Sequence, residues 1–166
     1  MKKSIFILAM LFATQVQGQL KIVRHQDDMT DNVYYYPTEG IVVKSEDGES
    51  GFRVHLSIKE EKSVLMPNDI VVKAVNIGTC YENNKITFLF ESGEKVTLAS
   101  WNKFNCEGNC YFEIPKKDLE LFKTQKLMKM RFENGRTYDS LTGEVDDKEY
   151  FTTLFNLISQ NKYENE

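Results

Sequence analysis

Histidine is scarce in this 166-residue chain, with His25 and His55 the only two. Any Ser-His-Asp or Cys-His site must therefore be built on one of them. There is no Gly-x-Ser-x-Gly elbow, no His-Glu-x-x-His, no phosphate-cradling glycine loop and no EF-hand pattern. Basic side chains are in deficit, 21 Lys and Arg against 25 Asp and Glu. That balance argues against nucleic acid and anionic lipid surfaces as partners, since both need clustered cations to neutralise phosphate. Beyond Ala13 no stretch is apolar enough to cross a bilayer. Three prolines and nine glycines leave room for long regular elements.

What is present begins with a leader. Met1-Lys2-Lys3 is a basic start, Ile5 to Ala13 is a short apolar run, and Val16-Gln17-Gly18 offers small or tolerated residues for cleavage. A signal peptide over residues 1–18 is expected, with Gln19 first in the mature chain. Its loss takes the basic side chains from 21 to 19, for a net charge of −6. The expected product is periplasmic or secreted, without a membrane span. Residues 19–166 suit one domain, because a chain of ~150 residues buries ~70% of its unfolded surface.

The organising stretch is Lys85 to Ser140, where Phe90-Glu91-Ser92-Gly93 is echoed by Phe132-Glu133-Asn134-Gly135. Each phrase is flanked by alternating apolar residues, which predicts two hairpins closed by tight turns with glycine at positive φ. The second would pair Leu127–Phe132 with Arg136–Ser140. The clearest alternation is Phe52, Val54, Leu56 and Ile58 against Arg53, His55, Ser57 and Lys59, a half-buried strand. Tyr34–Tyr36, Ile41–Lys44 and Ile70–Val75 add strands, Pro67 punctuates the chain, and Leu20, Ile22 and Val23 suggest a first edge strand. Leu119 and Phe122 after Pro115 indicate a short helix. Phe151, Leu154, Phe155 and Ile158 mark a second, with Asp146 and Glu149 as its capping box. The fold class expected is α+β: a single, mostly antiparallel sheet with two late helices packed on one face.

Cys80, Cys106 and Cys110 are the only cysteines. In an exported chain a disulfide is expected, with one thiol left over. If Glu91-Ser92-Gly93 is the turn, Phe88 faces Val96 and Ile86 faces Leu98. Extending that register brings Cys80 opposite Phe104, one diagonal step from Cys106. Cys80–Cys106 is the pairing this favours, and its ring is worth about 3.5 kcal/mol against about 2 for Cys106–Cys110. A redox pair or a metal site on Cys80, Cys106 and Cys110 is the weaker alternative. No helix follows Cys110 to activate a thiol, and the paired short spacings of zinc sites are missing.

Among the remaining candidates, His55 on the polar side of its strand reads first as an exposed histidine, and a small hydrolase using it is the rival. Carboxylate pairs such as Asp27-Asp28, Glu46-Asp47, Glu60-Glu61 and Asp146-Asp147 fall in loops or at a helix start, where solvation is expected. Tyr34, Tyr35, Tyr36, Trp101 and Tyr111 form a candidate stacking surface for a sugar or peptide. Core packing is the plainer account of them as a set. Alternation nonetheless buries at least one tyrosine of the triple and exposes at least one.

The Lys-Lys leader ending in Gly-Gln resembles small secreted proteins of Bacteroidetes-type bacteria, as do the Lys85–Leu98 and Met130–Ser140 phrases and the closely spaced Lys, Asn and Tyr. The resemblance implies export and supplies no activity or site residue. The reading reached is an exported, non-catalytic module for a protein, peptide or glycan partner, with no cofactor or metal.

Overall fold

The computed structural model describes residues 20–166; the expected signal peptide, residues 1–18, lies outside them. The chain runs β1 (Ile22–Gln26), β2 (Val33–Pro37), β3 (Ile41–Lys44), β4 (Gly51–Glu61), β5 (Val64–Val75), β6 (Lys85–Phe90), β7 (Lys95–Ala99) and β8 (Asn109–Glu113). Helix α1 (Leu119–Thr124), β9 (Leu127–Glu133), β10 (Ser140–Glu144), helix α2 (Tyr150–Ser159) and β11 (Glu164–Asn165) complete it.

The strands make two sheets where one was expected. The larger has the order β11-β1-β2-β4-β5-β8, with β3 also on β4; the smaller is β10-β9-β6-β7. Pairing is antiparallel except between β1 and β11, and β11 takes from β1 the edge position expected of it. The two sheets face each other through Phe52 on β4 and Phe132 on β9, ring centroids 5.8 Å apart, with Tyr81 closing on Phe132 at 6.2 Å. Both helices pack their apolar sides against this arrangement and leave Glu120, Lys123, Thr124, Asn156 and Ser159 exposed. Phe122 of α1 and Phe151 of α2 pack edge-on against Phe88 of β6, and α2 also rests on β5. Inward residues of both sheets and both helices join one hydrophobic core. Alternation identifies which face of a strand is buried, but not what covers it, and here the cover is a second sheet. Among the described residues, no helix is long and apolar enough to cross a membrane.

The first hairpin has the expected register, Ile86 opposite Leu98 and Phe88 opposite Val96, and Gly93 takes φ +86° at its turn. The second does not. Glu133 pairs with Ser140 and the loop spans residues 134–139, so β10 begins where Arg136–Ser140 was expected to end. Asn134 is the cause: its buried amide donates to the carbonyls of Ile77 and Cys80 and accepts from the Arg136 N–H. The positive φ falls at Tyr138, not Gly135. The capping box is likewise replaced. Helix α2 starts at Tyr150, and Asp147 Oδ1 accepts from the Glu149 N–H in the turn before it.

One irregularity of the large sheet positions the site. Strands β2 and β3 lie along the same edge of β4, β2 at Ile58 and β3 from Gly51 to Val54. Pro37 ends β2, and Thr38, Glu39 and Gly40 carry the chain from there to β3. Proline lacks the N–H that would continue the ladder. Gly40 lies so close to β4 that a Cβ would stand 2.7 Å from the Val54 carbonyl oxygen. The result is a notch in the sheet edge beside His55.

Candidate functional site

Cross-strand partners share a face of a sheet, so register alone lines up the site. His55 on β4 is opposite Val71 on β5, and Val71 is opposite Tyr111 on β8. The neighbours of these residues along the strands, Val54, Leu56, Ile70, Val72, Cys110 and Phe112, are buried in the core. His55, Val71 and Tyr111 therefore stand in a row on the outer face, spanning about 10 Å at ~4.8 Å per strand.

The row ends on Trp101. Its ring lies 5.4 Å from that of Tyr111, tilted by 36°, and its indole N–H donates to Asp69 Oδ1 at 3.2 Å. Asp69 is aimed by a bulge in which Asn68 and Asp69 stand opposite Ser57 alone. Ser57 Oγ accepts from the Asp69 N–H at 3.0 Å and from the Asn68 amide at 3.3 Å. Trp101 is thus pinned on the sheet surface while 61% exposed. At the other end the notch, about 450 Å³, is lined by Tyr36, Glu39, Arg53 and His55 among others. Burial, then the neighbouring Arg53 guanidinium, pushes the His55 pKa below its ordinary value.

Of the six candidate residues, Tyr34, Tyr36, His55, Trp101 and Tyr111 come to one face. Tyr35 points the opposite way into the core, where its hydroxyl donates to Glu60 Oε2 at 2.7 Å. Burial and Glu60 push that phenol up to about 12. Core packing, the plainer account of the aromatic set, therefore holds for Tyr35 but not for Tyr34, Tyr36 or Trp101, which are exposed. His25 is the cross-strand partner of Tyr34 and meets the Glu166 carboxylate, as does the Tyr36 hydroxyl. Asp27 and Asp47 are occupied in their own loops: Asp27 accepts the Met29 and Thr30 N–H groups, Asp47 accepts the Ser45 hydroxyl and then the Glu49 N–H, and these bonds hold both pKa values below the usual carboxylate value.

Cys80 and Cys106 form the disulfide, at 2.02 Å. The route differs from simple extension of the hairpin. Between the Lys85–Ala99 pair and the Tyr81–Asn105 bridge, the second strand's segment is two residues longer than the first's. That slip sets Cys80 directly across from Cys106 rather than on a diagonal. Cys110 is the free thiol, buried on the inward side of β8, where burial pushes its pKa up to about 12. Among the described residues, no group of three or more His, Cys, Asp or Glu is placed to hold a metal ion.

Sequence reasoning passed over Lys44, Arg53, Asp69, Val71 and Lys73, all on the same outer face. The signal was available for two of them. Arg53 shares the polar side of its strand with His55, and Lys73 alternates with buried Val72 and Ala74. Comparisons with protein-family models, curated proteins and solved structures gave no match.

Proposed function

We propose that this is an exported, non-catalytic binding module whose ligand is a glycan chain lying along the outer face of the large sheet. The observation that carries the reading is the row His55–Val71–Tyr111 leading into an exposed Trp101 stacked on Tyr111. The C–H faces of a pyranose pack on aromatic rings, and its rim hydroxyls pair with polar side chains beside them. An aromatic that is exposed yet held by its neighbours supplies contact area at little cost in ordering. Trp101 meets both conditions through Tyr111 and Asp69. The disulfide and the absence of a membrane-crossing helix among the described residues are compatible with a periplasmic or secreted location.

The rival reading, a small hydrolase using His55, draws on Glu39 and His55 lining the same notch. It is the weaker one because Ser57, two residues along the strand, commits its hydroxyl oxygen to Asp69 and Asn68. The deciding experiment is affinity electrophoresis through gels containing neutral or acidic polysaccharides. Retardation by at least one, weakened tenfold or more by Trp101→Ala with an unchanged circular dichroism spectrum, is the expected result. Retention by none of them, or retention indifferent to Trp101→Ala, sinks the proposal. Turnover of model esters, peptides or glycosides that disappears with His55→Ala would put the hydrolase in its place.

A further inference from the structure

We propose that the glycan is acidic, and that Lys44, Arg53 and Lys73 seat its carboxylate or sulfate groups; this rests on the outer-face reading above. Arg53 and Lys73 are direct cross-strand partners. Their Cβ atoms are therefore ~5 Å apart, and like charges so placed destabilise a sheet. Lys44 pairs with Gly51, which puts it diagonally beside Arg53 on the same face. Among the described residues, none of the three cations has a carboxylate oxygen within 4.0 Å, although eight other Lys or Arg side chains form ion pairs on the surface. The Lys73 ammonium donates instead to the Glu107 carbonyl, which leaves its charge uncompensated.

A chain with more acids than bases thus gathers on adjacent strands three cations that form no ion pair, with Glu39, Glu144 and Asp146 carboxylate residues that line recesses shared with Arg53. The three cations border an open recess of about 360 Å³, with Val75 half-exposed on its wall. Arg53 lines both this recess and the notch beside His55 and Tyr36, so the two are continuous across one side chain. Asp69 is already engaged by Trp101, and Glu49 is the carboxylate residue lining the recess. The lowered His55 pKa fits the same picture, since Arg53 is one of its causes. An anion on Arg53 and Lys73 relieves their repulsion, and the planar guanidinium fork matches a carboxylate or sulfate with two parallel hydrogen bonds. The row His55–Val71–Tyr111 is the next feature along the same strands, two residues on from Arg53 and Lys73. A peptide would have to bring a proline ring to Trp101 beside its acids, whereas an acidic glycan carries flat C–H faces and acid groups along its whole length, which is why the glycan is favoured.

The test compares the full exported chain on dextran, dextran sulfate, polygalacturonate and poly-glutamate at low and moderate salt. Binding to dextran sulfate or polygalacturonate at least tenfold tighter than to dextran, weakening with salt, is expected. The double variant R53Q/K73Q should lose tenfold or more on the acidic polymer and melt no lower than the parent, because a repulsion has been removed. The control K95Q/K123Q deletes two charges from β7 and α1 and should leave binding unchanged. Whichever acidic polymer is preferred identifies the acid group. Equal binding of dextran, abolished by Trp101→Ala but indifferent to R53Q/K73Q, overturns the acidic assignment and leaves the aromatic platform standing. Equal binding of poly-glutamate that ignores Trp101→Ala overturns the glycan, and failure of every polymer overturns both readings.

Discussion

At the scale of single residues, burial decides which side chains keep their chemistry. Cys110 is fully enclosed, with its sulfur accepting a hydrogen bond from the Asn84 amide at 3.4 Å. Its thiol is held neutral, and the pKa of about 12 lies above the ordinary 9.0. A raised folded value means the associated stability is complete below pH 9 and is lost as pH climbs from there through about 12. The urea midpoint should fall more steeply between pH 8 and pH 11 in the parent than in Cys110→Ala. In the native protein at pH 8, a disulfide-exchange thiol reagent should react at the rate of unfolding, and rapid labelling would contradict this. Asn134 shows the opposite use of burial. Its amide satisfies the Ile77 and Cys80 carbonyls and the Arg136 N–H, so Asn134→Ala should cost about 3 kcal/mol in chemical denaturation.

At the scale of elements, turns carry the least visible information. The longest hairpin, β4–β5, closes on Lys62-Ser63, both at positive φ (53° and 63°). That two-residue turn favours Asn-Gly, and nothing in Lys-Ser announces it. The double substitution Lys62→Asn/Ser63→Gly should stabilise the protein by about 1 kcal/mol in urea unfolding. No gain would mean that Asn161, whose side chain bonds Leu65 and Ser63, already fixes the turn. The strands themselves were legible because Phe52–Ile58 alternates without exception and Ile86, Phe88 and Phe90 recur at every second position. Pro67 was misleading as punctuation, since it lies within β5 next to the bulge. The Asn134 loop was unreadable for a different reason: its shape depends on carbonyls more than fifty residues away.

At the scale of the molecule, two features tie distant parts together. Phe132 joins the sheets, and Phe132→Ala should cost about 3–5 kcal/mol by leaving a cavity that Phe52 and Tyr81 cannot collapse to fill. The disulfide fastens one end, and the double substitution Cys80→Ala/Cys106→Ala should cost about 3.5 kcal/mol by the loop-entropy argument. The core contains neither cysteine, so that variant should still fold. The division into two sheets could not be read from the chain, because alternation is a local property and the pairing of β6 with β9 joins segments about forty residues apart. His55, Tyr111 and Trp101 were legible as candidates, whereas Val71 between them and the alignment of the row needed the β4–β5–β8 register.

Where β2 hands over to β3, residues 37–40 form one wall of the opening beside His55. None of the four belongs to the hydrophobic core, and they are tethered to it by Pro37 pairing with Ile22, by Thr38 bonding to Lys21 beside it, and by the Tyr150 hydroxyl donating to the Glu39 carbonyl. Insertion or deletion at that crossing therefore resizes the recess while the interior keeps its contacts. What the protein recognises and whether it folds become separately adjustable, and relatives with altered tastes should differ first at this crossing.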